Sequence, residues 1–234
     1  MIQTKTVNNL AKRLLDIAIS LFLIAVLSPL LGAVACLVLL NSRGPMLYRQ
    51  KRVGLDGRLF DICKFRTMVM GADSNGPSVT SADDCRITAI GRFLRTWKLD
   101  ELPQLFNVLC GHMSLVGPRP QVPRFVEHFD PSLRAIVLRV RPGITGPTAL
   151  RFRYEERMLA NKSDRESYYI QHLLPIKLKM DANYVETSSL KADMKILSET
   201  VWLFSLAPMK HFVFGEGKKL DAKPDELLDV RAIS

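Results

Sequence analysis

The sequence predicts a mostly helical α+β protein: a re-entrant membrane helix-hairpin, then a small globular domain with a short β-hairpin and interfacial amphipathic helices. Three observations carry that expectation. Ile17 to Leu40 forms an uncharged run of about two dozen residues, interrupted near its centre by Ser28-Pro29. About 190 residues follow it, enough for one globular core. Within them a short alternating stretch follows Leu47, and apolar residues recur at helical spacing through much of the remainder.

Residues 1–13 read as a short basic, amphipathic lead. The uncharged run comes next. A helix needs roughly 20 apolar residues to cross a hydrocarbon core about 30 Å thick, so the run is long enough to cross once. Pro29 lacks an amide hydrogen, and its ring clashes with the carbonyl of Ala25. The Ser28 hydroxyl is a candidate partner for that carbonyl. Arms of about 12 residues would reach only ~18 Å each. Lys5, Lys12 and Arg13 precede the run, and Arg43, Arg49, Lys51, Arg52 and Arg58 follow it. A spanning helix concentrates Lys and Arg on its cytoplasmic side; here both flanks look cytoplasmic, as a hairpin requires. Proline is also tolerated in spanning helices, so a kinked single crossing stands beside the hairpin on the residues alone. A secretory signal is excluded by length, since the apolar stretch continues past the only small-residue site, Ala33-Val34-Ala35-Cys36. A buried core helix would show a polar face, and this run has none.

Asn41-Ser42-Arg43-Gly44-Pro45 is turn chemistry that stops the helix. Leu47 to Met68 reads as a β-hairpin turned at Gly54-Leu55-Asp56-Gly57. Residues 71–84 read as a polar loop. From Ile87 to Leu109 apolar residues recur at helical spacing, with a break at Pro103 or a new helix that holds Pro103 in its first turn. Residues 116–123 and 141–147 are Pro- and Gly-rich loops. Residues 154–181 and 189–206 read as helices. The second carries Leu190, Met194, Leu197, Val201, Trp202 and Phe204, a stripe suited to packing on the domain more than to lying on a membrane. From Gly215 on the chain is polar. The expected divisions are therefore 1–40, the lead and membrane helix; 41–214, the globular domain; and 215–234, a polar tail.

The net charge is +10, from 33 basic and 23 acidic residues. That excess suits an anionic leaflet or a phosphorylated ligand. Nucleic acid is disfavoured: the chain has no zinc-finger spacing, no RNP-like motif and no basic helix with heptads. Cys36, Cys63, Cys85 and Cys110 are scattered without a C-x-x-C and read as small hydrophobes in a reducing compartment.

The chemistry concentrates in Lys98-Leu99-Asp100-Glu101-Leu102-Pro103-Gln104-Leu105. Two adjacent carboxylates in an apolar frame can divide the work of nucleophile and ligand to a hard cation such as Mg²⁺. Taken alone, an Asp-Glu pair opening a helix is more often a capping device. The cations around it shift that balance. Lys64 and Arg66 lie two residues apart on one strand face. Arg92 and Arg95 precede the pair at helical spacing, Arg119 sits in a stiff Gly-Pro-Arg-Pro loop, and Arg151 and Arg153 follow a second such loop. Together they suggest a polyanionic phosphate ligand bridged by a metal.

These residues resemble the monotopic phosphoglycosyl transferases of bacteria, in their small catalytic-core form. The resemblance runs from Lys12 to about Phe204. Its marks are Lys12-Arg13 with Asp16, Ser28-Pro29, and Tyr48-Arg49-Gln50-Lys51-Arg52-Val53-Gly54. Lys64-Phe65-Arg66-Thr67-Met68 and Leu99-Asp100-Glu101-Leu102-Pro103-Gln104-Leu105 follow. Ser114-Leu115-Val116-Gly117-Pro118-Arg119-Pro120 and Arg141-Pro142-Gly143-Ile144-Thr145-Gly146 complete the ordered series.

The resemblance implies transfer of a phosphosugar from a UDP-sugar to undecaprenyl phosphate with release of UMP, the first membrane step of exopolysaccharide, O-antigen or glycoconjugate assembly. It implies Asp100 as nucleophile and Glu101 as catalytic residue and Mg²⁺ ligand, with Mg²⁺ as cofactor. Lys64, Arg66, Arg95, Arg119 and Arg153 would bind substrate. Arg151 competes with Arg153, because Pro147-Thr148-Ala149-Leu150 departs from the family's pattern there. Ser28 and Pro29 would kink a hairpin with both ends cytoplasmic, placing the protein on the cytoplasmic face of the inner membrane against anionic phospholipid. A homodimer is compatible with this reading. Competing expectations are a catalytically silent relative that binds sugar nucleotide or lipid, and a single-spanning protein with a periplasmic domain.

Overall fold

The computed structural model describes residues 2–72, 84–153, 155–160 and 162–214. These residues are mostly helical, with two small two-stranded sheets. The expected tail, 215–234, and most of the polar loop, 71–84, lie outside the described residues.

Helix α1 (Ile2–Asn41) continues through Pro29. The expected division into two arms is therefore not a gap in the helix. The Ser28 hydroxyl donates to the Ala25 carbonyl at 2.9 Å, which satisfies the acceptor that the proline leaves open. Both halves of α1 touch the same domain. Before Pro29, the Arg13 guanidinium donates to the Val108 and Leu109 carbonyls at 2.7 and 3.0 Å. Lys12 Nζ meets Asp193 at 2.5 Å and the Val116 carbonyl at 2.9 Å. Asp16 accepts the Leu115 amide at 3.2 Å. After Pro29, Val34 and Val38 bury against Phe65 and Leu94. Between these docked ends Leu21, Phe22, Val26 and Leu30 face outward, 39% to 66% exposed.

Strands β1 (Leu47–Val53) and β2 (Leu59–Phe65) form the expected antiparallel hairpin, with Leu47 opposite Phe65 and Val53 opposite Leu59. Its turn uses Asp56 and Gly57 at positive φ, 55° and 77°, the region Asp and Gly enter most readily. The apolar stretch from Ile87 to Leu109 becomes two short helices. Helix α2 (Ala89–Thr96) starts where Thr88 accepts the Gly91 amide at 2.9 Å. Helix α3 (Gln104–Leu109) starts after Pro103, as a residue without an amide hydrogen allows. A 3₁₀ turn, Leu99–Glu101, joins them.

Strand β3 (Ser114–Val116) pairs in parallel with β4 (Gly143–Thr145). Between them lie α4 (Pro123–Val126) and α5 (Pro131–Val137). Beyond β4 come α6 (Pro147–Arg151), α7 (Glu155–Ala160) and α8 (Arg165–Tyr168), then a π-helical turn, α9 (Leu174–Thr187) and α10 (Leu190–Phe214). The expected helix over 154–181 is thus interrupted. Asp164 accepts the Ser167 amide at 3.0 Å and starts a new segment, a side-chain cap competing with helix continuation.

Two larger apolar clusters build the domain. One centres on Leu173 and Leu174 with Phe125 and Phe152. The other joins Phe60, Ile62, Val108 and Met113 to Ile19 and Leu23 of α1. Of the α10 stripe, Leu197 packs on the second cluster beside Ile196, which lay outside the stripe, while Met194, Val201 and Trp202 stay 50%, 65% and 67% exposed. The expectation of core packing therefore holds for only part of that stripe. The four cysteines are free.

Gly117, just after β3, and Gly143, which opens β4, pass with no room for a side chain. A Cβ on Gly143 would lie 2.1 Å from the Gly117 nitrogen and 2.5 Å from the Thr145 carbonyl oxygen. Both atoms are backbone and cannot rotate away. Gly143→Ala is expected to destabilise the protein by about 3 kcal/mol, read as a lower Tm of the purified variant.

Candidate active site

Asp100 and Glu101 sit in the 3₁₀ turn between α2 and α3, not in the first turn of the helix that follows Pro103. Lys98 enters that turn in the left-handed region, φ 54°. This reversal, together with the proline stop, turns both carboxyls inward.

Asp100 is only 7% exposed, and its Oδ1 has no protein hydrogen-bond partner. Burial and the neighbouring Glu101 charge push its pKa up to about 6, against Lys64, Lys98 and Arg95. Glu101 behaves in the opposite way. Burial opposes its charge, but Arg119, Lys64 and Lys98 outweigh burial and hold it well below the usual carboxylate range. Arg119 donates through Nη2 to Oε1 at 2.7 Å and through Nη1 to Oε2 at 3.4 Å. Lys64 Nζ, from β2, reaches Oε1 at 3.2 Å. The pair therefore holds one firmly ionised carboxylate and one whose buried oxygen is open. Divergent environments of this kind separate the roles of two carboxyls.

Lys64, Arg95 and Arg119 are brought to the pair, as the sequence suggested. Arg95 Nε donates to the Thr67 hydroxyl at 2.9 Å, and its charge acts on Asp100. Arg66 goes elsewhere. Its Nη2 donates to the Ser42 carbonyl and hydroxyl at 2.6 and 2.9 Å, tying the end of α1 to the sheet. The reason is that β2 ends at Phe65, so the strand alternation that would align Arg66 with Lys64 stops. Arg151 closes α6 and Arg153 lies two residues beyond it.

Other residues of the site carried no assigned role in the sequence. Arg52 Nη1 donates to the Pro120 carbonyl at 3.1 Å. Burial and the nearby Arg119 lower its pKa to about 10. Lys177, Asp181 and Tyr184 form a buried polar stripe on α9. Tyr184 donates its hydroxyl hydrogen to Asp193 at 2.5 Å. Asp181 accepts the Thr148 hydroxyl at 2.9 Å and faces the Arg119 backbone amide. Lys177 donates to the Tyr169 hydroxyl at 3.4 Å, and that hydroxyl donates to Gln121 at 3.1 Å. Asp181 and Lys177 thus fix the loop carrying Arg119 at two points. The stripe's spacing, i, i+4, i+7, sets its three residues on one face of α9, but other polar residues of the helix, such as Lys179 and Asn183, hide that pattern in the sequence.

Among the described residues no group of three or more His, Cys, Asp or Glu side chains is arranged to hold a metal. A dication such as Mg²⁺ commonly takes one or two carboxylates and completes its shell with water and substrate phosphate. The open Asp100 Oδ1 beside ionised Glu101 fits that mode.

The model of the family described as bacterial sugar transferase matches residues 7–206. A UDP-glucose:undecaprenyl-phosphate glucose-1-phosphate transferase of Klebsiella pneumoniae is 36% identical over 199 residues, covering 84% of this chain and 40% of that protein. An enzyme of the same name from Caulobacter vibrioides is 39% identical, covering 82% of this chain and 69% of its own length. A UDP-N-acetylgalactosamine-undecaprenyl-phosphate N-acetylgalactosaminephosphotransferase of Aeromonas hydrophila is 38% identical, covering 81% and 42%. The chain spans about two-fifths of the length of the Klebsiella and Aeromonas relatives.

Proposed function

The chain belongs to the bacterial sugar transferase family, and we propose that it transfers a sugar phosphate from a UDP-sugar to undecaprenyl phosphate through a covalent intermediate on Asp100. The observation that carries this reading is the buried, unpartnered Asp100 Oδ1 beside a Glu101 already clamped by Lys64 and Arg119. The named relatives supply the substrate classes.

In the first step an Asp100 carboxylate oxygen attacks the β-phosphorus of the donor. The bond from that phosphorus to the oxygen bridging to the α-phosphate breaks, and UMP leaves with the electron pair. In the second step a phosphate oxygen of the lipid attacks the same phosphorus. The Asp100–phosphorus bond breaks, the carboxylate is regenerated and a lipid diphosphosugar departs. Phosphoryl transfer of this kind depends mainly on positioning and charge neutralisation. Lys64, Arg52 and Arg119 supply the positive charge for the diphosphate. Mg²⁺, held by Glu101, would neutralise the charge growing on the leaving phosphate.

The same reading makes the protein monotopic on the cytoplasmic face of the inner membrane. Its support is the docking of both halves of α1. Lys12, Arg13 and Asp16 bind the domain before Pro29, and Val34 and Val38 bury on it after Pro29. A straight crossing would stretch the contacted domain across the hydrocarbon, where its loops have no water to bond. The exposed aromatic rings Phe93, Trp97 and Phe106 suit headgroup depth. Pro29→Ala is expected to move a fraction of molecules to a spanning topology. Labelling of a cysteine placed at Ser42 or Lys5, from outside intact cells, reads that shift; a wild-type chain labelled at either position would sink the monotopic reading.

UMP release tests the function: purified protein, undecaprenyl phosphate, Mg²⁺ and a panel of UDP-sugars. Turnover should require lipid and metal and should name the sugar. A protein that binds a UDP-sugar yet releases no UMP would instead be a silent relative.

A further inference from the structure

Two elements meet at the carboxyl pair. Glu101 runs into α3 through Leu102 and Pro103. Arg119 stands three residues beyond Val116, the last residue of β3. At the site the two elements are tied by the Arg119–Glu101 ion pair at 2.7 Å. A second tie lies away from the carboxyls, and α1 makes it.

Lys12 and Arg13 are neighbours in α1, so their side chains leave the helix about 100° apart and reach different elements. Arg13 takes the carbonyls of Val108 and Leu109. These lie at the end of α3 opposite the carboxyls, where a helix leaves its carbonyls without partners. Lys12 takes the Val116 carbonyl at 2.9 Å. Two more groups fix its Nζ there: Asp193 Oδ2 of α10 at 2.5 Å and the Tyr184 hydroxyl of α9 at 3.3 Å. Tyr184 in turn donates to Asp193 Oδ1. Asp16, one turn on in α1, accepts the Leu115 amide at 3.2 Å. Anchoring a helix to a domain needs no particular backbone target. Here the target is the carbonyl from which the Gly117-Pro118-Arg119-Pro120 loop departs.

A ligand acts differently on the two ties. A diphosphate competes with Glu101 for the Arg119 guanidinium, because both are anionic acceptors for the same donors. The tie through α1 uses none of the cations assigned to the diphosphate, so it persists while the first is exchanged. Position matters at that moment: a misplacement of about 1 Å costs on the order of 10²-fold in rate.

We propose that Lys12 is a positioning residue for Arg119. Braced by Asp193 and Tyr184, and referenced to α3 through Arg13, it sets the gap between Arg119 and Glu101 into which the donor diphosphate binds. The proposal rests on the transferase reading above. It makes the start of the long apolar helix a structural part of the donor site as well as an anchor.

The test titrates UDP with Mg²⁺ into the full chain in phosphatidylcholine vesicles, by calorimetry. Lys12→Met alone would strand the buried Asp193 charge. Lys12→Met combined with Asp193→Asn leaves neither charge of the pair and still removes the bond to Val116. That double variant should bind UDP about tenfold more weakly than wild type. Added to Arg119→Gln, the same two changes should weaken UDP by less than about twofold further, because they act through Arg119. In turnover, KM for the UDP-sugar should rise with the UDP dissociation constant, while KM for undecaprenyl phosphate stays within about twofold. Unchanged UDP affinity, or a further loss of the same size in the Arg119→Gln background, would overturn the assignment. So would a loss that varies with phosphatidylglycerol added to the vesicles, which would place Lys12 on lipid headgroups. The expected UDP losses without UMP release from wild type would keep the brace and remove the transfer reaction.

Discussion

Asp100→Asn is expected to abolish turnover, by on the order of 10⁴-fold or more, while leaving the protein folded. The amide has nearly the shape of the carboxyl but cannot attack phosphorus. No protein hydrogen bond to Oδ1 is lost, because none is made. The stability effect has a defined sign. Burial and Glu101 raise the folded-state pKa of Asp100 from 3.8 to about 6. A raised carboxyl contributes stability that is complete below its unfolded pKa and is lost as pH rises through the folded value. The wild type therefore bears a buried charge at pH 8 that the variant does not. The Tm of Asp100→Asn at pH 8 should equal or exceed that of wild type, and the difference should shrink at pH 4. Pre-steady-state UMP release gives the catalytic half of the test: a burst in wild type, none in the variant. A variant that releases UMP in a burst would remove Asp100 as nucleophile.

Glu101→Gln should do the reverse to stability and a different thing to binding. Glu101 is the counter-charge for Arg119 and Lys64, with its side chain 12% exposed. Removing one partner of a buried pair leaves uncompensated charge and costs about 3–5 kcal/mol. Lys64, already shifted down by burial, would lose its main support and titrate lower still. Turnover should fall by about 10²-fold or more as the leaving-group charge goes unneutralised. Affinity for UDP in the absence of metal should rise, because the surviving cations no longer have an internal anion. Calorimetric titration of UDP with and without Mg²⁺ checks this. Weaker metal-free binding in the variant would mean that Glu101 orders the site instead of competing with the ligand.

The parts of this protein legible in its sequence are those set by local chemistry. The uncharged run, the Ser28 bond to Ala25, the hairpin at Gly54-Gly57 and the stop at Pro103 each follow from neighbours within a few residues. The carboxyl pair and most of its cations were visible because phosphate chemistry needs those residue types in number. Other features depended on distant pairing. Arg66 looked like a partner of Lys64 until the strand ended one residue early and the Ser42 carbonyl claimed it. Arg52, Lys98 and the Lys177-Asp181-Tyr184 stripe acquire meaning only through what α9, β1 and the Arg119 loop bring against them.

By itself, then, the sequence determined that there is a long apolar segment, a small mostly helical domain and an acidic pair among cations. Composition and short-range spacing are sufficient for these, since backbone geometry, turn propensity and hydropathy act over a few residues. Only the tertiary structure decided which carboxyl is clamped and which is open, which arginines serve the site, and that both halves of α1 rest on one domain. Those outcomes turn on burial and on charges separated by tens of residues in the chain, and a charge buried beside one neighbour instead of another changes its ionisation, its partner and its chemistry.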